Sequence, residues 1–127
     1  MSSERREPLL FLMGELRERG RRRGDTVSVR PGEVWIAFRS AQAGRIFAEV
    51  RPARKGLQAF LLPPRRELRD PRGFSAAAPE SQGWGWFETK VTVAPSEVRA
   101  LASLLVQSLD YARQLGPPRR GRRATQP

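Results

Sequence analysis

The chain has 127 residues, of which 39% are hydrophobic, which is enough for one compact domain with a single core. It contains no cysteine and no histidine. Disulfides, the common Cys/His zinc sites and all Ser-His or Cys-His catalytic pairs are therefore excluded, and the formal net charge of +11 becomes the main functional signal.

No segment of the sequence is typical of a membrane span or a secretory signal. The longest apolar run near the N-terminus covers only residues 9–13. We therefore expect a cytoplasmic protein with no membrane partner. Gly83 and Gly85 lack the following helix that a phosphate-binding loop needs, so we also expect no cofactor.

The first predicted element is a helix over residues 5–19. Leu9, Leu12, Met13 and Leu16 recur at helical spacing, so their side chains share one face. A run of three arginines between two glycines marks the end of this helix.

A change to a two-residue period then predicts an antiparallel meander. Its candidate strands cover residues 26–30, 33–40, 45–51, 57–62 and 86–93. In the third of them, simple alternation places Phe47, Glu49 and Arg51 on the face opposite to Ile46, Ala48 and Val50.

Residues 63–83 form the least regular stretch, a long loop of the kind that is often functional or mobile. A second amphipathic helix ends near Leu115, where Gly116 and two prolines follow. We expect a single domain over residues 1–116 and a disordered basic tail over residues 117–127, because the tail has no apolar anchor.

These elements predict an α+β fold of the order α-β-β-β-β-β-α. An N-terminal and a C-terminal amphipathic helix flank an antiparallel meander of four or five strands. Both helices would pack on one face of the sheet.

Four segments carry a resemblance to a known family. They are residues 34–39 (VWIAFR), 46–50 (IFAEV), 55–61 (KGLQAFL) and 83–86 (GWGW). They resemble an uncharacterised bacterial domain family often labelled "predicted transport protein", and the resemblance covers most of residues 5–113. It implies a helix-meander-helix fold. The histidine that often occurs in the family's Gly-rich segment is absent here.

What the resemblance implies about function comes from the domains to which members of the family are fused. Its members occur fused to restriction-type or other DNA-processing domains, which favours a role with nucleic acid. The order of elements is also similar to that of the YjbR-like family, whose double-wing fold was proposed to bind DNA. This second similarity concerns the fold and assigns no site.

Residues 88–90 (ETK) match half of the metal motif of restriction-type nucleases. The chemistry would need a second carboxylate, from Glu49 or Asp70, to share a divalent ion. Three residues are a weak match, and an exposed strand with alternating charges gives the same pattern. We therefore favour a protein with no catalytic and no metal-binding residues.

The aromatic residues offer possible stacking platforms for nucleobases. Trp84 stands between two glycines and has the best claim to exposure. We expect Trp35 and Trp86 to be core or half-buried, because large aromatics usually anchor the core of a small domain.

The basic residues cluster at the end of the first helix, at a hairpin tip, in the long loop and in the tail. GC-rich coding explains the preference for arginine over lysine but does not explain this clustering. With Trp84, these residues are the candidate nucleic-acid-binding set: Arg21, Arg22, Arg23, Arg54, Lys55, Arg65, Arg66, Arg69, Arg72, Arg119, Arg120, Arg122 and Arg123.

The sequence therefore predicts a non-catalytic module that binds nucleic acid through largely sequence-independent phosphate contacts. One alternative is a protein-interaction or assembly module, such as a homodimer formed through a sheet edge. A less favoured one is a metal-dependent nuclease built around Glu49, Glu88 and Lys90. The first predicts steep salt dependence, the second a defined oligomer and the third cleavage that requires a divalent ion.

Overall fold

Two helices enclose the strands in chain order, as the periodicity predicts. The computed structural model describes residues 3–78 and 87–117, with side chains from residue 6 onwards. Its elements are α1 (Ser3–Arg22), β1 (Val27–Pro31), β2 (Ile36–Ser40), β3 (Arg45–Ala53), β4 (Gly56–Leu61), a 3₁₀ turn (Arg65–Glu67), β5 (Ser75–Ala77), β6 (Thr89–Val93), a second 3₁₀ turn (Pro95–Glu97) and α2 (Val98–Leu115).

The strands form one antiparallel sheet in the order β1-β2-β3-β4-β6-β5. The α+β class with a helix at each end is confirmed. The predicted count of four or five strands is wrong, since the described part of the chain contains six. The missed strand, β5, lies within the stretch predicted to be irregular. Its three small residues are too few to show a two-residue period.

The helices cover one side of the sheet, and that side is apolar. Alternate strand residues, such as Phe38, Val50, Ala59 and Val91, are 0% exposed there. α1 packs along β1, α2 packs across β3, and the two helices contact each other. The opposite side, which neither helix covers, is called the open face below. Within the described ranges, neither helix combines the length and apolarity that crossing a bilayer requires.

A bulge in β3 changes which side chains enter the core. Phe38 pairs with Ala48, whereas Arg39 pairs with Ile46, so Phe47 is an additional residue in β3. Phe47 and Ala48 are both 0% exposed. The prediction that Phe47 lies on the face opposite to Ala48 is therefore wrong, because the bulge interrupts the alternation.

Ser108 of α2 contacts the sheet at this bulge and is 0% exposed. Its hydroxyl donates to the carbonyl oxygen of Phe47 at 2.5 Å and accepts a hydrogen bond from the backbone N–H of Leu62 at 3.1 Å. The additional residue of a bulge lies outside the regular ladder, and Leu62 follows the end of β4. One side chain thus provides hydrogen-bond partners for two buried backbone groups that have no partner in the β-ladder.

Replacing Ser108 by alanine should destabilise the fold, because a buried donor and a buried acceptor lose their partner together. We expect Ser108→Ala to lower the free energy of unfolding by about 1–3 kcal/mol, measured by urea denaturation. Ser103→Ala, at an exposed position of the same helix, is the matched control and should change it by less than about 0.5 kcal/mol. Equal effects of the two variants would contradict this role of Ser108.

Candidate nucleic-acid interface

The arginines at the end of α1 are engaged in ion pairs. Arg21 and Arg22 both contact the Glu18 carboxylate, at 2.7 and 3.1 Å. Their hydrogen bonds lower the pKa of Glu18 below its ordinary value. Arg23 pairs with Asp110 of α2 at 2.6 Å. This predicted cluster therefore consists of cations that already have anionic partners.

Arg23 also belongs to a network that joins both helices to the β2–β3 turn. Arg113 donates from Nη2 to the Arg23 carbonyl oxygen at 3.0 Å, and its Nε lies 3.7 Å from the Asp25 carboxylate. The buried Asp25 side chain accepts hydrogen bonds from Thr26 N–H, Gln42 N–H and the Ser40 hydroxyl. These contacts serve the fold, so the cations in them are not available to an external phosphate.

The long loop is held against α2. The Gln107 side chain accepts from the Arg69 N–H at 2.8 Å and donates to the Arg69 carbonyl oxygen at 3.0 Å. Arg72 makes a two-fold ion pair with the Glu97 carboxylate. The loop is thus fixed through the backbone of Arg69, whose side chain is exposed, and through the ion pair of Arg72.

Asp70 closes a turn within the same loop. Its carboxylate accepts hydrogen bonds from the N–H groups of Phe74 and Ser75, at 3.0 and 2.8 Å. Burial by itself would raise the pKa of Asp70, but the hydrogen bonds from Ser75, Phe74 and Gly73 bring it below its ordinary value. Asp70 is therefore engaged in turn formation.

The remaining predicted cations lie apart from one another. Arg54 and Lys55 are exposed in the turn after β3. The turn before β3 contacts the end of α1, because the Gln42 side chain donates to the Gly24 carbonyl oxygen at 2.7 Å. The length of β3, roughly 25–30 Å of strand, thus separates these cations from Arg21–Arg23.

Arg65 and Arg66 are exposed in the first 3₁₀ turn and pair with no acid in the described part of the chain. Within the described residues, the predicted cations at the end of α1 and those in the turn after β3 thus lie at opposite ends of β3. The other candidates, Trp84, Arg119, Arg120, Arg122 and Arg123, lie outside the described residues, as does Trp86.

The open face presents a different set of cations, none of which belongs to the predicted nucleic-acid-binding set. The strand register places one row of residues across it: Arg30, Ala37, Glu49, Phe60, Lys90 and Ala76. Arg39 and Arg51 occupy the neighbouring rows. Among the described strand residues of this face there are thus four basic side chains and one acidic one. None of the four pairs with an acid of the described chain.

An aromatic strip underlies these cations. The rings of Trp35 and Phe60 lie 5.1 Å apart, and Phe87 stacks on Phe60 at 6.3 Å. The Arg51 guanidinium lies 4.7 Å from the centre of the Trp35 ring, and its Nε donates to the Gln58 side chain at 2.9 Å. Trp35 is half-buried, as predicted, but it lies on the open face rather than beneath the helices.

Glu49 is the single acid in the row. It has no hydrogen bond or ion pair with any described residue, and burial raises its pKa above the ordinary value. Burial disfavours the charged form of a carboxyl group. Burial therefore disfavours the one negative charge that lies among the cations of this face.

No ion pair in the described structure joins the residues of the nuclease alternative. Lys90 shares the open face with Glu49, but β4 with its Phe60 ring runs between them. Glu88 is exposed and precedes β6. Across residues 3–78 and 87–117, no three potential metal-ligating side chains come together.

A groove of about 880 Å³ runs along the helix side, between α1, α2 and the long loop. Basic and acidic groups both line it, and several are already satisfied. Arg19 pairs with Glu15 at 3.0 Å, and Arg99 lies 5.5 Å from the centre of the Phe11 ring. This mixture of charges fits no single class of ligand, whereas the open face has one dominant sign.

In comparisons with known proteins, no protein-family model matches the sequence, and no curated protein or solved structure matches it either. The family resemblance suggested by the sequence therefore stays a prediction. The side chains that the fold brings together are then the guide to function, and those of the open face are predominantly of one charge sign.

The raised pKa of Glu49 gives a test of the electrostatics of this face. A carboxyl group whose folded-state pKa lies above its unfolded value reduces stability once pH exceeds the unfolded value, and the full cost is reached above the folded pKa. We expect Glu49→Gln to raise the Tm at about pH 7.5 and to leave it unchanged at about pH 3.5, where both states are protonated.

The exposed Glu33 in the β1–β2 turn is the matched control. Circular dichroism melts of Glu33→Gln should show little change at either pH. A Glu49→Gln variant that is less stable than the natural chain at neutral pH would show that the carboxylate makes a favourable interaction.

Proposed function

We propose that this protein is a non-catalytic module that binds nucleic acid through phosphate contacts on the open face. The observation that carries the proposal is the set of four basic side chains on one face of the sheet, all without acidic partners in the described chain. The one acid among them has a raised pKa because it is partly buried. A polyanion is the ligand whose charge complements such a surface.

The mode of binding follows from the spacing of these cations. Arg30 and Lys90 lie in one row, four strand spacings apart, or about 19 Å. Cations spread along a face suit a chain of phosphates rather than one compact anion. Contacts to phosphates give affinity without reading base sequence, so binding should be largely independent of sequence.

The number of phosphate contacts sets how steeply the binding constant should fall with salt concentration. Each neutralised phosphate releases counterions, and four contacts predict a slope of log K against log salt of about −3. The net charge of +11 adds a long-range attraction that increases the association rate. The cations paired with Glu18, Asp110 and Glu97 contribute only to that long-range term.

The first test compares two double variants that remove the same charge from different places. Arg39→Gln with Lys90→Gln depletes the open face, whereas Arg21→Gln with Arg22→Gln removes cations paired with Glu18. Fluorescence anisotropy with labelled DNA over a salt series should show lower affinity and a slope shallower by about 1.5 for the first variant. The second should bind nearly as the natural chain does.

Equal losses in the two variants would contradict an interface on the open face and leave only a general effect of net charge. No salt-dependent binding in the natural chain would contradict nucleic-acid binding altogether. A defined oligomer in the same solutions would then favour the assembly alternative.

The tail supplies a second test. Residues 117–127 contain four arginines and no acid. A chain that ends at Pro117 should bind DNA more weakly but keep the sensitivity to Arg39→Gln and Lys90→Gln. Complete loss of binding on truncation would mean that the tail acts as a simple polycation and that the open face has no part.

A further inference from the structure

We infer that the open face selects single-stranded over double-stranded nucleic acid, with Arg51 holding a phosphate while an unpaired base stacks on its guanidinium plane above Trp35. This inference rests on the proposed function, since it names the form of nucleic acid that the same face would take. It depends on how Trp35 and Gln58 orient Arg51, whereas the proposed function uses only the positive charge of Arg51.

Arg51 is ordered before any ligand arrives. Its guanidinium lies over the Trp35 ring, and its Nε donates to Gln58. Neither Nη group donates a hydrogen bond to a described residue. The free end of the guanidinium therefore presents the paired donors that suit two phosphate oxygens, and its orientation costs no further side-chain entropy on binding.

Trp35 supplies the second half of the arrangement. Its indole is half-buried and supported from below by Phe60, which is 0% exposed. Because the Arg51 guanidinium covers the ring, a base would stack on that plane. Base–aromatic stacking is worth about 1–3 kcal/mol in other single-strand binders, and arginine contributes through cation–π contact. Bases inside a duplex are stacked on one another and cannot make this contact.

The shape of the open face also favours a single strand over a duplex. A duplex is read by an element narrow enough to enter its major groove, such as a helix or a two-stranded ribbon. The open face is a sheet of six strands, and its cations lie across β1, β2, β3 and β6. An extended strand with a base turned toward Arg51 and Trp35 can follow this path, whereas a duplex would meet it only along one backbone.

The preference is diagnostic because electrostatics alone predicts the opposite. A duplex has the higher charge density, so a simple polycation binds it more tightly than a single strand.

We would measure the anisotropy of labelled oligo-dT, oligo-U and a DNA hairpin of equal length, with the full chain at one salt concentration. Both single strands should bind at least about fivefold more tightly than the hairpin. The two oligomers distinguish DNA from RNA, and a preference for either over the hairpin supports the inference.

The matched variants are Arg51→Lys and Arg39→Lys, which both keep the charge. Arg51→Lys loses the planar group stacked on Trp35 and should weaken single-strand binding about 5–50-fold while leaving hairpin binding within about twofold. Arg39 has no ring or hydrogen-bond partner in the described chain, so Arg39→Lys, which keeps the charge at a phosphate contact, should change single-strand and hairpin binding to the same small extent. Circular dichroism melts would establish that each variant is folded.

Gln58→Ala provides a second route if Arg51→Lys does not fold. It removes the hydrogen bond that orients Arg51 and no charge, and should weaken single-strand binding about 2–10-fold. The inference is overturned if the hairpin binds as tightly as the single strands, or if Arg51→Lys and Arg39→Lys behave alike. Those results would leave the proposed function intact, whereas absence of salt-dependent binding to all three probes would remove the function itself.

Discussion

The buried hydroxyl of Ser108 holds α2 against the sheet at the point where the β-ladder is interrupted. The interruption is the bulge at Phe47, and it decides the orientation of the rest of β3. Phe47 and Val50 are three positions apart, so a regular strand could not direct both into the same core. With the bulge, both are buried and Glu49 and Arg51 turn to the open face. The cationic surface thus depends on a polar contact on the other side of the sheet.

The two sides of the molecule use their arginines differently. On the helix side, arginines join elements: Arg23 binds Asp110, and Arg113 links the helix ends to the β2–β3 turn near Asp25. On the open face, Arg51 is ordered by a ring and an amide instead of an acid. Oriented cations without a counter-ion retain their capacity to bind an external anion. The formal net charge does not show this division, because it counts both kinds of arginine alike.

Local periodicity was sufficient to predict the helices and most strands, since each is long enough to show an apolar face. It could not reveal β5, which is three residues long, or the bulge, which depends on contacts between α2 and the sheet. The helical pairs of Glu18 with Arg21 and Arg22 are visible in the sequence spacing. The pair of Arg23 with Asp110 joins residues 87 positions apart and emerges only from the fold. For the same reason, basic runs suggested an interface, whereas the cations of the open face are isolated in sequence and become neighbours through strand order.

The bulge also makes the length of β3 a determinant of the protein's chemistry. Because Phe47 is the additional residue, deleting it would leave Ile46 on the open face and Ala48 in the core, and the ladder would become regular without exchanging the sides of its neighbours. The core would lose the Phe47 ring beside Phe38, and Ser108 would lose the carbonyl oxygen to which it donates. A deletion elsewhere in β3 that left the bulge in place would instead exchange the two sides of the sheet on one flank, so that charged groups would face the core. The position of a deletion, and not only its length, therefore decides whether core and surface change together.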